Sequence, residues 1–350
     1  MALLKFVKGG FCLKIINAEK MKRNFNIEFG LLLIILSLKP TTSLAQQNIQ
    51  LTQYIFNSMS VNPAYAGYRE DWYGQMALRN QWAGIDDAPR TGLVSIDGIL
   101  DPERKKIGIG LQFSSDRVGP QSSTSGHINY AYRLQLNAED TKRLSFGIGA
   151  GMTQYTLDYN KLNPIDGGDQ FATEGTNSRA TPDFRFGVYY YSPKVYVGAS
   201  MMGLTAGIAK SVSNGVEIYK QHIYLISGLL LDINSQTKFR PSLLIKEDFR
   251  GPTSLDLNSM FIFKDKFWVG ASYRTGVKLW NKDFDQGQSI SNINAVAALV
   301  MLSINNSLRI GYSYDYSTGI LNSFDNGSHE ITLGMSLSRK STRVISPRFF

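Results

Sequence analysis

The 350-residue sequence predicts an all-β protein, a transmembrane antiparallel up-and-down β-barrel of about fourteen strands with a short segment in front of it. Three observations predict it. Apolar and polar residues alternate with a period of two, as strands with two unlike faces require. The alternating segments run near ten residues, the length of a tilted membrane strand rather than the five or six of a soluble one. The connections alternate short and long. Mean hydropathy is close to neutral, which does not suit a bundle of membrane helices.

Residues 1–45 read as a secretory signal. The run Phe29–Leu38 is strongly apolar but shorter than the roughly 20 residues of a spanning helix. Lys20, Lys22 and Arg23 precede it, and Ser43-Leu44-Ala45 supplies a small-x-small site, so cleavage is expected after Ala45. Met21 opens a signal of more ordinary length and is an alternative start. Cleavage removes Cys12, the one cysteine, which excludes disulfides, thiolate catalysis and cysteine-ligated metals from the mature chain. No cysteine stands at the cleavage point to carry a lipid. Seven basic and two acidic residues also leave, so the net charge falls from +9 to about +4. Nothing resembles a nucleic-acid module.

Residues 46–71 form an N-terminal segment expected on the periplasmic side. Gln50–Gly67 reads QLTQYIFNSMSVNPAYAG: uncharged, rich in aromatics and asparagine, with an Asn-Pro turn. Eight strands enclose a lumen filled by side chains and sixteen an open channel, so fourteen leave room for a segment. This one is expected to cap or enter the barrel as a plug, or to dock a partner.

The barrel is expected over 72–350, with strands at about 72–82, 90–98, 106–115, 125–136, 142–155, 182–191, 194–203, 221–232, 238–247, 254–263, 266–275, 292–302, 307–317 and 328–338. Leu144, Phe146, Ile148, Ala150 and Met152 alternating with Ser145, Gly147, Gly149, Gly151 and Thr153 is one example. Links after even strands are short (Ser192-Pro193, Lys264-Asp265), and those after odd strands are mostly longer (156–181, 204–220, 276–291, 318–327). That sorting is the outer-membrane pattern, and an even count puts both termini in the periplasm. Aromatics at strand ends (Trp72, Trp82, Tyr189–Tyr191, Phe261, Phe263, Tyr312, Tyr314, Tyr316) are expected at headgroup level. An open edge cannot exist in lipid, so the sheet must close.

No pattern points to catalysis, a cofactor or a metal. Gly147-x-Gly149-x-Gly151 lies inside a strand and reads as small lumen-facing residues, not a nucleotide loop. His127, His222 and His329 fall on strands four, eight and fourteen with no metal-ligand spacing. Asp86 and Asp87 share a loop without a mate for acid–base work. Arg309, Asp315, Asp256, Lys246 and Arg274 are expected as lumen pairs.

Two motifs carry a resemblance. The first is Thr52-Gln53-Tyr54, Phe56-Asn57 and Asn62-Pro63-Ala64-Tyr65-Ala66-Gly67. The second is Arg79-x-Gln81-Trp82-x-Gly84 followed by Ala88-Pro89 and Thr91. Asp116 with Gly119, Pro241-Ser242-Leu243, Tyr314-Asp315 and His329-Glu330-Ile331 match more weakly. From about residue 48 to its end the chain resembles the PorP/SprF-type outer-membrane proteins of the type IX secretion system of Bacteroidetes. It departs at Asp169-Gln170, where the family often has Asp-Pro.

The resemblance implies a non-enzymatic outer-membrane component of type IX secretion that supports export or surface attachment of adhesins, often for gliding motility. It implies secreted adhesin domains and periplasmic secretion components as partners, beside the lipid, and no small-molecule substrate. The motif residues are candidates for structure or docking: Thr52, Gln53, Tyr54, Phe56, Asn57, Asn62, Pro63, Ala64, Tyr65, Gly67, Arg79, Gln81, Trp82, Gly84 and Pro89. The alternatives are a passive porin and a membrane-embedded enzyme. The latter would need a Ser–His contact between neighbouring strands.

Overall fold

A computed structural model describes residues 49–162, 175–205, 212–213, 216–217, 221–249, 251–279 and 294–337. The expected signal peptide, Cys12, Asp169-Gln170 and the middles of the three longest loops lie outside them.

Fourteen strands close a ring. They are β1 (Tyr73–Asn80), β2 (Arg90–Ile99), β3 (Ile107–Val118), β4 (Gln121–Gln135), β5 (Arg143–Asp158), β6 (Thr176–Tyr191) and β7 (Val195–Met202), then β8 (His222–Leu229, continued by Leu231–Asp232), β9 (Thr237–Glu247), β10 (Thr253–Phe263), β11 (Phe267–Val277), β12 (Ala295–Ser303), β13 (Leu308–Ser317) and β14 (Ser328–Ser336). Each pairs antiparallel with its sequence neighbours. β1 pairs with β14 over its whole length, from Tyr73↔Ser336 to Asn80↔His329. The closure leaves no strand edge, which satisfies every ladder donor and acceptor without water. Within the β7–β8 connection, Val212–Ser213 pairs with Val216–Glu217.

Burial is inverted relative to a water-soluble fold. Along β1, Tyr73, Gln75, Ala77 and Arg79 are buried while Leu78 is half exposed. Val94, Phe113, Ile128, Ile148 and Met152 are each more than 50% exposed, whereas Ser95, Gln112, His127, Asn129 and Thr153 are buried. Apolar outside and polar inside is stable only where lipid is the outer solvent.

The strands match the sequence expectation except at the end that carries the longer connections. There β3 and β4 run on to a two-residue turn at Gly119-Pro120, where residues 116–124 were expected to be loop, and β6 begins at Thr176 rather than 182. The outward residues of the β3 and β4 extensions are Arg117, Ser122 and Thr124. Above the hydrocarbon an outward face has no reason to be apolar, so the alternation fades while the ladder continues. A second difference concerns tyrosine. Tyr189 and Tyr191 point into the lumen, 1% and 3% exposed, and not to the headgroup level.

Candidate functional site

The lumen is filled by the N-terminal segment. Thr52, Gln53, Tyr54, Asn57, Asn62 and Tyr65 are each at most 1% exposed, and Phe56, Ala64 and Ala66 are also buried. The segment and the inner wall form one apolar cluster, including Tyr54, Ile55, Phe56, Met59, Tyr189, Tyr196 and Trp268. Ile49 and Leu51 pack near Ala77 and Leu93. From there the chain runs to Gly67, whose N–H donates to Asp97 at 2.9 Å, and then into β1.

The segment's lack of charge lets it enter a closed space, since burying an isolated charge costs far more than burying amides that find partners. Its backbone is folded into two 3-10 turns, Ser58–Ser60 and Pro63–Tyr65. Asn62 caps the second: its Oδ1 accepts from the Ala64 N–H at 2.9 Å, and Pro63 follows where no N–H is needed. The other end of the same amide donates to Val188 O at 3.1 Å and Ala199 O at 3.3 Å on the wall. Ser145 donates to Ala64 O at 2.7 Å, Ser200 to Val61 O and Gln75 to Phe56 O. Gly67 adopts a left-handed φ of +74°.

The wall makes room at lumen-facing glycines. A Cβ on Gly147 would collide with the Pro63-Ala64 backbone, and one on Gly187 with the Asn62 side chain. Tyrosines close the remaining space. Tyr65 stacks on Tyr68 at 4.9 Å and meets Tyr189 edge-on at 5.7 Å, and Phe56 meets Trp268 edge-on at 5.6 Å. Burial pushes the Tyr65 phenol up to about 12, so it stays neutral.

Around Thr52-Gln53 lies a buried cluster of three cations and three anions. Arg79 pairs with Asp315 at 2.8 Å and Glu330 at 3.0 Å. Arg274 pairs with Asp256 at 2.5 Å and Lys246 with Asp256 at 3.0 Å. The Glu330 carboxylate accepts the N–H groups of Thr52 and Gln53 at 2.8 and 3.0 Å. The Thr52 hydroxyl donates to Asp315 at 2.5 Å and accepts from Arg79 at 2.9 Å. The Gln53 amide donates to Glu330 O at 2.9 Å. Motifs far apart in sequence, Thr52-Gln53, Arg79, Asp315 and Glu330, therefore meet in one place. At the opposite end Glu70 holds the exit of the segment, pairing with Lys105 at 2.8 Å and Arg133 at 3.2 Å.

The expected lumen pairs Asp315, Asp256, Lys246 and Arg274 are thus together. Arg309 is not among them and lies near Arg69 and Tyr73. Gln81, Trp82, Gly84 and Pro89 also stand apart, in the β1–β2 loop. That loop is well tied: Gln81 N–H donates to Pro89 O at 2.9 Å, Ala83 N–H to Gly327 O at 2.8 Å, and Trp82 N–H to Ser328 Oγ at 3.0 Å. Thr91 donates to Asp116 at 2.5 Å.

The sequence reading missed the wall partners Gln75, Asp97, Ser145 and Ser200, whose inward parity was the only available signal. It also missed that His127 Nε2 lies 2.7 Å from Asp183. The two face each other across Gly151, which adds no side chain between them. Beside the segment is a small cavity, partly open to solvent, lined among others by Leu51, Tyr54, Gln112, Thr153 and Arg185. Among the described residues no group of three His, Cys, Asp or Glu is placed to hold a metal ion.

Comparison with solved structures returns other outer-membrane proteins. The Acinetobacter baumannii outer membrane protein Omp33 is 8% identical with a TM-score of 0.43, covering 77% of this chain and 99% of its own. A Pseudomonas aeruginosa FadL homologue is 10% identical with a TM-score of 0.45, covering 85% and 96%. No curated protein matches the chain in sequence. The family model described as type IX secretion system membrane protein PorP/SprF matches residues 43–335, so the chain, an outer-membrane-type β-barrel, belongs to the PorP/SprF family.

Proposed function

We propose that this protein is a plugged outer-membrane scaffold for type IX secretion, supporting export or surface attachment of adhesins, with gliding as the associated activity. It acts by binding, not catalysis. Secreted-protein domains engage its loop end, periplasmic secretion components engage the turn end, and both barrel termini lie in the periplasm. The observation that carries this reading is the lumen itself. Residues 49–67 fill it, hydrogen-bonded at one end to a buried charge cluster of the wall and followed at the other by Glu70, which pairs with Lys105 and Arg133; this suits a docking platform better than a diffusion channel.

On this reading Thr52, Gln53, Tyr54, Phe56, Asn57 and the Asn62–Gly67 turn seat the plug. Arg79 anchors it. Docking falls to the tied loop that holds Gln81, Trp82, Gly84 and Pro89, where Gly84, Asp86 and Asp87 are exposed. The test is affinity purification of the tagged protein from native membranes, with identification of what co-purifies. Secreted adhesins or periplasmic secretion components are expected. A barrel that pulls down neither, and conducts steadily in planar bilayers, would instead be a passive porin.

A further inference from the structure

Two arginines sit side by side on the outward face of the wall, toward its loop end. Arg90 on β2 and Arg117 on β3 are direct cross-strand partners. Both point outward, in phase with Val94 and with Phe113 and Leu111, and both are exposed. Opposed side chains in such a pair start about 5 Å apart, and like charges directly opposite destabilise a sheet. Among the described residues neither makes an ion pair or a side-chain hydrogen bond, and Asp86 and Asp87 of the adjacent loop do not pair with either.

Their height on the wall indicates what does. Val94 and Phe113 are 52% and 60% exposed and belong to the apolar band. The arginines lie four residues further toward the loop end, about 13 Å along the strand. With the usual strand tilt that is about 10 Å of height, which sets them at the loop-end margin of the apolar band. The outward side chains flanking them are neutral hydrogen-bonding groups: Asn80 is the cross-strand neighbour of Arg90, and Ser122 of Arg117. Guanidinium groups match phosphate oxygens in a forked geometry, and arginine is less strongly hydrated than lysine.

We propose that Arg90 and Arg117, with Asn80 and Ser122 beside them, bind the phosphate headgroup of a lipid in the leaflet at the loop end, its acyl chains lying along Val94 and Phe113. The site would fix the depth and orientation of the barrel beside the loop that carries Gln81 to Pro89. It does not depend on the secretion role.

The test titrates the full barrel in zwitterionic detergent with dioctanoyl phosphatidic acid, read by native mass spectrometry and by thermal unfolding. Dioctanoyl phosphatidylcholine and inorganic phosphate serve as comparison ligands. Wild type is expected to retain and be stabilised by phosphatidic acid alone. Arg90→Gln/Arg117→Gln should weaken that binding by roughly thirty-fold, each arginine supplying a comparable share. Equal binding by the double variant, or equal retention of phosphatidylcholine, overturns the proposal. Competition by millimolar inorganic phosphate would mark a free-anion site and overturns the lipid assignment. If the double variant does not fold, Arg90→Gln alone decides. Without lipid it should unfold no earlier than wild type, because repulsion is relieved. Earlier unfolding would make the arginine structural and sink the idea.

Discussion

Glu330 shows how much one side chain is asked to do. It faces inward from β14, is fully buried, pairs with Arg79 and accepts two backbone N–H groups of the plug. Removing one member of such a set leaves the other charge buried without its partner. Glu330→Ala is therefore expected to destabilise the barrel by about 3–5 kcal/mol. Chemical unfolding in detergent would show it as a lowered midpoint. Thr52→Val should cost less, about 1–3 kcal/mol, by removing the hydroxyl from Asp315 and Arg79. An unchanged midpoint for both would mean the cluster does not hold the segment. Arg79 and Asp315 carry the same logic from the wall side, so double variants with Glu330 should be less than additive.

The N-terminal segment and the glycines facing it form a matched pair of elements. The segment has no charge, two short turns and a cap, Asn62, whose amide oxygen accepts from the segment's own Ala64 N–H while its nitrogen donates to the wall. The wall answers with Gly147 and Gly187, where any side chain would occupy the space of Pro63, Ala64 or Asn62. Deleting residues 50–67 should leave the fourteen-strand ladder intact and raise single-channel conductance in planar bilayers, because fourteen strands enclose more space than their own side chains fill. Conductance no higher than that of the intact protein would show that the segment does not block the lumen. Gly187→Val should displace the segment without deleting it, giving conductance between the two.

At the scale of the whole molecule the decisive contact is β1 with β14. Eight consecutive pairs, Tyr73↔Ser336 to Asn80↔His329, close the ring. They also bring Arg79 beside Glu330, so closure and plug anchoring share the same residues. Truncation before Ser328 would expose the edges of β1 and β13 to lipid, where each unpaired backbone group costs several kcal/mol. Such a chain is expected to lose the heat-dependent gel migration of a folded barrel altogether. A truncated protein that migrates like the intact one would mean the ring closes another way.

The sequence by itself determined the strands and the solvent on each side of them. Ile107-Gly108-Ile109-Gly110 or Leu144-Ser145-Phe146-Gly147 has two faces of opposite polarity, and strand geometry leaves that pattern one reading. It also marked the uncharged segment and the motifs around Thr52, Arg79, Asp315 and Glu330 as separate stretches. What only the tertiary structure decided is that these stretches meet. Period-two alternation reports which way a side chain points, but not the register between strands or the path of a chain inside a ring. The pairing of Arg79 with residue 330 depends on ring closure, that of Gly147 with Ala64 on the path of the segment, and that of His127 with Asp183 on the register of three strands. The strand extensions at Val118, Gln121 and Thr176 were hidden for a related reason. Beyond the hydrocarbon both faces meet polar surroundings, and the polarity difference that makes a membrane strand legible is gone.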